Sequence, residues 1–315
     1  MSSDDALEKV LKKYPVSFKD TSGFEFDRIP TDIRNLDTLL GGGISTRKFT
    51  MLTGQSNAGK SYLALQIVKA FQKRDMPCLW LDAEGSFDLE WSKKCGVDVE
   101  KLGKKRPTTG EEALDIARAY LGIGFLVVID SFAGLVPTKN LEEDFSYTPM
   151  AWQARFLNSS LPKLFYEFEK GNGTLLAINQ LRSSLTPKQG DTYVGGEGQT
   201  FFAHLILKVM RKGWILEKKK RVGFDMEVTV KKTKIGGENQ STIIIPFSMN
   251  EGMDNISIDI REGENIDLVQ KKGAWWYCTK KDGTEFKALG IDKLRQFFID
   301  NPEEYNHFKK NLYDT

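Results

Sequence analysis

Gly54-Gln55-Ser56-Asn57-Ala58-Gly59-Lys60-Ser61 is the stretch of this sequence that decides the fold. It fits G-x-x-x-x-G-K-[ST], a phosphate-binding pattern in which glycines let backbone N–H groups converge on phosphate oxygens. Lys60 is expected to reach the terminal phosphates, and the Ser61 hydroxyl is expected to hold Mg²⁺. The motif needs a strand before it and a helix after it. Residues 48–53 predict a short buried strand and residues 61–71 an apolar-faced helix, so both flanks are suitable.

The composition is that of an ordinary globular protein. Hydrophobic residues make up 40% of the 315 positions and charged residues 28%. No apolar run is long enough to cross a bilayer, and residues 1–5 are too acidic for a signal peptide. The net charge of +2 means that any nucleic-acid contact must be local. The three cysteines show no metal-ligand spacing or pairing, which favours a reducing cytoplasm.

Polar residues end three predicted buried strands near the phosphate loop. The strand over residues 76–82 runs into Ala83-Glu84, residues 125–130 end in Asp130, and residues 174–180 end in Gln180. Ligands bind at the carboxyl ends of strands in open α/β sheets. Asp130 has the position of an aspartate that holds Mg²⁺ through water, although a plain loop aspartate after a buried strand remains the alternative.

The order of predicted elements indicates an α/β fold with a mostly parallel sheet flanked by helices. Strands and helices alternate as far as residue 180, and three later strands (205–211, 224–232 and 241–247) extend the sheet in antiparallel fashion. Further helices are expected over residues 4–13, 29–40, 111–121 and 150–170. Three units follow: an N-terminal helix and arm (1–28), a core (29–254) and a small α/β C-terminal domain (255–315). In the last unit, helices are predicted over 266–271 and 291–312 and a strand over 273–278.

Two stretches inside the core carry no helical or strand periodicity. Residues 140–150 are mostly polar and acidic, and residues 181–198 are rich in Ser, Thr, Gly and Gln. Loops this long in a compact domain are functional or disordered. The basic segment Lys218-Lys219-Lys220-Arg221 fits either a solvated hairpin tip or a DNA contact.

With these motifs placed, the chain resembles the RecA family of DNA strand-exchange recombinases, of the bacterial or bacteriophage kind. The resemblance spans residues 29–311. Beyond the phosphate loop it rests on Leu81-Asp82-Ala83-Glu84, Val128-Ile129-Asp130-Ser131, Ile178-Asn179-Gln180-Leu181-Arg182, Gly195-Gly196, Lys232-Thr233-Lys234, Gly273-Ala274-Trp275-Trp276 and Asp300-Asn301-Pro302-Glu303. It implies a DNA-dependent ATPase that uses ATP and Mg²⁺, forms helical filaments on single-stranded DNA, and exchanges strands with homologous duplex DNA in recombination and repair. The expected location is the cytoplasm of a bacterium or of a phage-infected cell.

The resemblance also implies a role for each matching residue. Glu84 would be the general base, Gln180 the γ-phosphate sensor, and Lys232 and Lys234 would reach the γ-phosphate bound to a neighbouring subunit. Nucleotide contacts would come from Gly54, Gln55, Ser56, Asn57, Ala58, Gly59, Lys60, Ser61, Tyr62, Asp88 and Trp91, and metal contacts from Ser61 and Asp130. Three of these roles have structural alternatives. Asp88 could be a helix N-cap, Trp91 could be a buried helix residue, and the lysine pair could lie on a solvated edge strand.

DNA contacts would come from the two aperiodic stretches and the helix between them. The matching residues are Met150, Arg155, Arg182, Ser183, Ser184, Leu185, Gly195 and Gly196. Two departures concern the strength of binding: Pro162 stands where the bacterial pattern has an arginine, and Ser184 replaces a lysine. The N-terminal arm and Phe201 would contact neighbouring subunits, although Phe201 could instead be a core residue.

Two other classes share this core. The first alternative is a ring-forming helicase or a clock-type ATPase. Proteins of these kinds lack Gly195-Gly196 in this context and the tryptophan-containing C-terminal domain. A non-catalytic paralogue that binds ATP and loads other proteins is the second alternative, and the joint presence of Glu84, Asp130 and Gln180 argues against it.

Overall fold

The computed structural model describes residues 12–13, 25–139, 150–182, 192–217, 220–249 and 252–313. Most of the N-terminal helix and arm predicted over residues 1–28 lies outside these ranges. So do the greater part of the first aperiodic stretch and residues 183–191 of the second. Within the described residues, no helix is long and apolar enough to cross a membrane.

A ten-stranded sheet forms the centre of the described chain. A small two-stranded sheet, β1 (Arg28–Ile29) and β2 (Ile44–Ser45), precedes it. The central strands are β3 (Phe49–Gly54), β4 (Cys78–Asp82), β5 (Leu102–Lys105), β6 (Leu126–Asp130), β7 (Thr174–Arg182), β8 (Thr192–Tyr193), β9 (Leu205–Glu217), β10 (Lys220–Thr233), β11 (Thr242–Ser248) and β12 (Gly252–Met253). Their order is β12-β11-β10-β9-β3-β7-β6-β4-β5, and β8 pairs with β7.

The strand directions confirm the predicted fold class. The pairs β3–β7, β3–β9, β6–β7, β4–β6 and β4–β5 are parallel, whereas β9, β10, β11 and β12 form an antiparallel run. Parallel neighbours need crossover connections, and here these connections carry helices. The carboxyl ends of β3, β4, β6 and β7 therefore meet at one edge of the sheet.

Helices cover both faces of the sheet, as the alternating pattern predicts. They are α1 (Arg34–Leu39), α2 (Lys60–Gln72), α3 (Leu89–Lys94), α4 (Gly110–Leu121), α5 (Met150–Gly171) and α6 (Gly198–Phe202). Leu63, Ile67 and Phe71 of α2 belong to the hydrophobic cluster on one face. The apolar sides of α4 and α5 fill the cluster on the other face, with residues such as Leu114 and Leu161 fully or nearly fully buried.

The chain after residue 254 forms α7 (Asn255–Asn265), β13 (Val269–Lys272), β14 (Trp275–Thr279), β15 (Glu285–Leu289), α8 (Ile291–Asp300) and α9 (Pro302–Tyr313). The three strands form a separate antiparallel sheet. Ile260, Trp276 and Phe298 belong to a third hydrophobic cluster, distinct from the two of the core. The division of the chain at residues 28 and 254 stays a prediction.

Three local predictions are wrong. The helix expected over residues 266–271 lies earlier, because Asp254 caps α7 by accepting from the Ser257 N–H at 3.1 Å. Residues 269–272 are a strand instead, since their backbone pairs with β14. Only Arg34–Leu39 is helical within residues 29–40, because Ile29 pairs with Ile44. Leu181 and Arg182 do not belong to an aperiodic loop: they continue β7 by pairing with β8.

Candidate nucleotide site and candidate DNA-binding surface

The phosphate loop connects β3 to α2, as its sequence pattern requires. Gly59 has a φ of 99°, and a Cβ at that position would lie 2.6 Å from Met226 Cε. A Cβ at Gly54 would lie 2.1 Å from the Val209 carbonyl oxygen, closer than real Cβ atoms approach. These positions therefore accept only glycine. The N-terminus of α2 points into the loop, which favours an anion there through its unpaired N–H groups and the helix dipole.

Lys60 lies inside the loop with only 7% of its surface exposed. Its Nζ donates to the carbonyl oxygens of Gly54 at 3.1 Å and Gln55 at 2.7 Å. Burial lowers the pKa of Lys60, while Asp130 and Glu84 act in the opposite direction. The ammonium group is thus held beside the space where the loop can receive phosphate groups.

Asp130 ends β6 opposite the loop and is 3% exposed. Burial raises its pKa to about 6, and the negative charges of Glu84 and Asp82 add to the effect. A hydrogen bond from Ser61 and the charge of Lys60 oppose it. Mg²⁺ prefers oxygen ligands and uses one or two protein groups together with substrate phosphates. The Ser61 hydroxyl and the Asp130 carboxylate, already in hydrogen-bond contact, fit that ion.

Glu84 and Gln180 lie together, although they are 96 positions apart in the sequence. Gln180 Nε2 donates to Glu84 Oε1 at 3.0 Å. The Ser131 hydroxyl donates to the same oxygen. A cavity of about 310 Å³ is lined by residues 56–62 together with Glu84, Ser86, Asp130, Ile178 and Gln180. The carboxylate of Glu84 therefore shares one cavity with the phosphate loop and the metal-binding residues predicted from the sequence.

Ser131 is a site residue to which the sequence analysis assigned no role. It is fully buried and follows a cis peptide bond after Asp130. Its contact with Glu84 joins the ends of two neighbouring strands, β6 and β4. Its position directly after Asp130 was the only sequence feature that could have indicated this role. That feature is weak, because a serine at the end of a strand can have many roles.

Tyr62, Asp88 and Trp91 form the other end of the loop region. The ring centroids of Tyr62 and Trp91 are 6.1 Å apart, and Phe247 lies 6.1 Å from Trp91. Asp88 is exposed and caps α3, accepting from the Trp91 N–H at 2.9 Å. The capping role considered for Asp88 is therefore present, and Trp91 is half-buried. Contact of these residues with a nucleotide base stays a prediction.

Lys232 and Lys234 come together at the end of α6. Lys234 Nζ donates to the Phe201 carbonyl oxygen at 2.7 Å, and Lys232 Nζ donates to that of Thr200. Burial lowers the pKa of Lys232, and the neighbouring charge of Lys234 lowers it further. Phe201 itself is 72% exposed, which makes it a surface residue rather than part of the core. Two cations and an exposed aromatic ring thus form one surface of the described chain.

Part of the predicted DNA-binding set lies on a second surface. Arg155 is exposed on α5, with its guanidinium 5.6 Å from the centre of the Trp152 ring. Gly195 and Gly196 have positive φ values and pack on the same helix, where a Cβ at Gly195 would lie 2.6 Å from Leu157 Cδ1. Arg182 is exposed at the end of β7. Met150 begins α5, and Ser183, Ser184 and Leu185 lie outside the described residues.

The strand order, the phosphate loop and the acidic strand ends define a P-loop nucleotide-binding protein of the α/β class. A family model described as the RecA N-terminal domain matches residues 4–253. The protein RecA of Aquifex pyrophilus is 30% identical over 317 residues, which cover 98% of this chain and 89% of that protein. The protein RecA of Acholeplasma laidlawii is 30% identical over 320 residues (98% and 95%), and that of Syntrophus aciditrophicus is 32% identical over 283 residues (87% and 80%).

The chain therefore belongs to the RecA family, whose members are DNA-dependent ATPases of the P-loop recombinase type. This membership agrees with the family resemblance that the sequence motifs indicated.

Proposed function

We propose that this protein is an ATP-dependent recombinase that forms helical filaments on single-stranded DNA and exchanges strands with homologous duplex DNA. The observation that carries the proposal is the hydrogen bond between Gln180 and Glu84. Gln180 lies on β7, the strand that leads into the second predicted DNA loop, and Glu84 lies in the nucleotide cavity. One contact therefore links the proposed catalytic carboxylate to the proposed DNA-binding segment.

ATP would lie along the phosphate loop, with Lys60 facing its terminal phosphates. Ser61 and Asp130 would hold Mg²⁺, which neutralises phosphate charge when bound. Asp88, Tyr62 and Trp91 would contact the adenine end. The phosphate and metal assignments are supported by the glycine cradle, the buried ammonium of Lys60 and the hydrogen bond between Ser61 and Asp130.

Glu84 would orient and deprotonate the water that attacks the γ-phosphate. A general base must lie within hydrogen-bond reach of the proton that it removes. Gln180 and Ser131 both donate to Glu84 Oε1, so the carboxylate has a defined orientation in the cavity. Gln180 would sense the γ-phosphate, because its amide lies beside this carboxylate.

Assembly would complete the catalytic site. Lys232 and Lys234 would contact the γ-phosphate bound to a neighbouring subunit, while Phe201 and the arm of residues 1–28 would pack against that subunit. The lysine pair is suited to an anion, because both ammonium groups donate to carbonyl oxygens of α6 and carry two neighbouring positive charges. Residues 29–254 would form the ATPase core, and residues 255–315 the small C-terminal domain.

Single-stranded DNA would bind along Arg155, Arg182 and the Gly195-Gly196 segment, together with Met150, Ser183, Ser184 and Leu185. Arginine supplies charge and planar hydrogen bonding to phosphates. The activity would take place in the cytoplasm of a bacterium or of a phage-infected cell, a location that the bacterial origin of the relatives supports.

The test is Glu84→Gln, examined by ATPase assay and by electron microscopy on single-stranded DNA. Glutamine keeps an oxygen that can accept from Gln180 and Ser131 but loses the charge, so ATP binding is retained and DNA-stimulated hydrolysis falls by about 10²–10⁴-fold. Helical filaments should then persist on DNA. Glu90→Gln, the same change on the exposed side of α3, is the matched control and should leave hydrolysis unchanged.

Two results would contradict the proposal. A loss of turnover smaller than about tenfold in Glu84→Gln would remove this residue as the general base. Closed rings, or no assembly, on DNA with a slowly hydrolysed ATP analogue would remove the filament-forming function.

A further inference from the structure

Two buried amide side chains join β7 to residues 194–196, which belong to the second predicted DNA loop. Asn179 on β7 and Gln199 on α6 are both 0% exposed. Asn179 Nδ2 donates to Gln199 Oε1 and to the Val194 carbonyl oxygen, each at 2.9 Å. Gln199 Nε2 donates to the Val194 carbonyl at 2.7 Å and to the Gly196 carbonyl at 2.8 Å. The two amides thus fix the carbonyl groups of the residues before and after Gly195.

The same network holds the backbone of Gln180. Its N–H donates to Asn179 Oδ1 at 2.8 Å, and its carbonyl oxygen accepts from the Val194 N–H at 3.2 Å. Its side chain is then directed to Glu84, at 3.0 Å. A displacement of Gln180 would therefore pull directly on the segment that carries Gly195 and Gly196.

Burial makes this connection stiff. A buried amide that loses its partner bears the full cost of desolvation, because no water replaces the lost hydrogen bond. The segment is also seated closely on α5, where Leu157 leaves no room for a Cβ at Gly195. An arrangement in which Gln180 moves and this segment stays would leave several buried polar groups unpaired.

The short helix α6 extends the connection to the lysine pair. Gln199 lies near its start, and the carbonyl groups of Thr200 and Phe201 near its end accept from Lys232 and Lys234. The short helix α6 therefore connects two sites. At its start, Gln199 is linked through Asn179 to Gln180 in the nucleotide cavity of the same subunit. At its end, Thr200 and Phe201 contact the two lysines that are proposed to reach the nucleotide of a neighbouring subunit.

We propose that Gln199 and Asn179 are positioning residues that transmit the state of Gln180 to residues 194–196 of the second predicted DNA loop. The inference rests on the proposed function, in which Gln180 senses the nucleotide and residues 181–198 contact DNA. Neither Asn179 nor Gln199 lines the nucleotide cavity, so both act through Gln180, which does. Their removal uncouples DNA affinity from the nucleotide while leaving nucleotide binding in place.

The test is Gln199→Met, an unbranched side chain of similar length that removes every hydrogen bond of the amide. The measured quantity is the ratio of the Kd values for single-stranded DNA with ADP and with a slowly hydrolysed ATP analogue. Coupled sites typically differ by about 5–150-fold, and in the variant this ratio falls to within about twofold of one. DNA-stimulated kcat falls with it, while the KM for ATP stays within about twofold of the wild-type value.

Gln72→Met is the matched control. Gln72 lies at the end of α2, away from the network of Asn179 and Gln199. Its side-chain amide makes two hydrogen bonds, of 2.8 Å and 3.0 Å, with the backbone of Asp98. This control keeps the wild-type ratio. If Gln199→Met does not fold, Asn179→Ala removes the donor from the other end of the bond and gives the same loss of coupling.

Three outcomes decide between the proposals. A folded Gln199→Met that keeps the wild-type ratio overturns the positioning role. An equal loss in Gln72→Met also overturns it, because the effect would then be general destabilisation. A wild-type protein whose DNA affinity is independent of nucleotide overturns the proposed function itself, which separates that failure from a failure of the network.

Discussion

Replacement of Asp130 by asparagine is expected to make the protein more stable and catalytically inactive. The carboxylate is 3% exposed and lies among the charges of Glu84, Asp82 and Lys60. Burial is the largest cause of its raised pKa, so the charged form is unfavourable in the folded chain without nucleotide. Asparagine has nearly the same shape, carries no charge, and keeps an oxygen that can accept from Ser61.

The size of the effect follows from the pKa of Asp130. It rises from 3.8 to about 6 on folding. Because one pKa unit corresponds to about 1.36 kcal/mol, the ionised group lowers the free energy of unfolding by about 3 kcal/mol at pH 7.5. Between these two pKa values the folded chain binds more protons than the unfolded chain, so this cost grows as the pH rises and is complete above about pH 6. At pH 5 it is roughly half as large.

Urea unfolding of wild type and Asp130→Asn, followed by circular dichroism, measures the difference. All proteins are compared at one concentration without nucleotide, because self-association and bound ligand also stabilise the folded state. The variant should gain up to about 3 kcal/mol at pH 7.5 and about half of that at pH 5. Its ATPase activity should be lost, since the proposed metal ligand is missing.

Asp115→Asn is the control for the removal of a negative charge. Asp115 is exposed on α4, and such surface changes alter stability by less than about 0.5 kcal/mol. Glu84→Gln should also raise the free energy of unfolding, because the charge of Glu84 contributes to the raised pKa of Asp130. The increase should be smaller than that of Asp130→Asn, because burial is the larger cause of that raised pKa. Equal or lower stability of Asp130→Asn at pH 7.5, or a gain that does not shrink at pH 5, would refute the reasoning from burial.

The remaining predictions concern DNA binding and assembly. Arg182→Ala should flatten the dependence of single-stranded DNA affinity on salt, by about 0.7 in logarithmic slope if one phosphate contact is lost. Folding should be unaffected because Arg182 is exposed, and an unchanged slope would remove this residue from the DNA contacts. Lys60→Ala and Lys234→Ala should each be inactive alone but partly recover ATPase activity when mixed, because some interfaces then pair an intact phosphate loop with an intact lysine. No recovery in filaments shown to contain both variants would falsify action of Lys234 on a neighbouring subunit.

Local patterns predicted most of the elements that surround the nucleotide site. The buried runs that end in Asp82, Asp130 and Gln180 are apolar on both faces, as expected of central parallel strands. The C-terminal region was harder to predict. Residues 266–271 resembled a helix, but their backbone pairs with β14, a contact that no local pattern encodes.

The sequence by itself determined the phosphate loop, because Gly54, Gly59, Lys60 and Ser61 act within eight consecutive residues and their backbone requirements are local. It also indicated which carboxylates end buried strands. Only the tertiary structure decided that Glu84 meets Gln180 and Ser131, that Asn179 meets Gln199, and that both lysines reach the end of α6. These contacts depend on the strand order β10-β9-β3-β7-β6-β4. Crossover connections and long-range packing select this order, and the propensity of no single segment contains it.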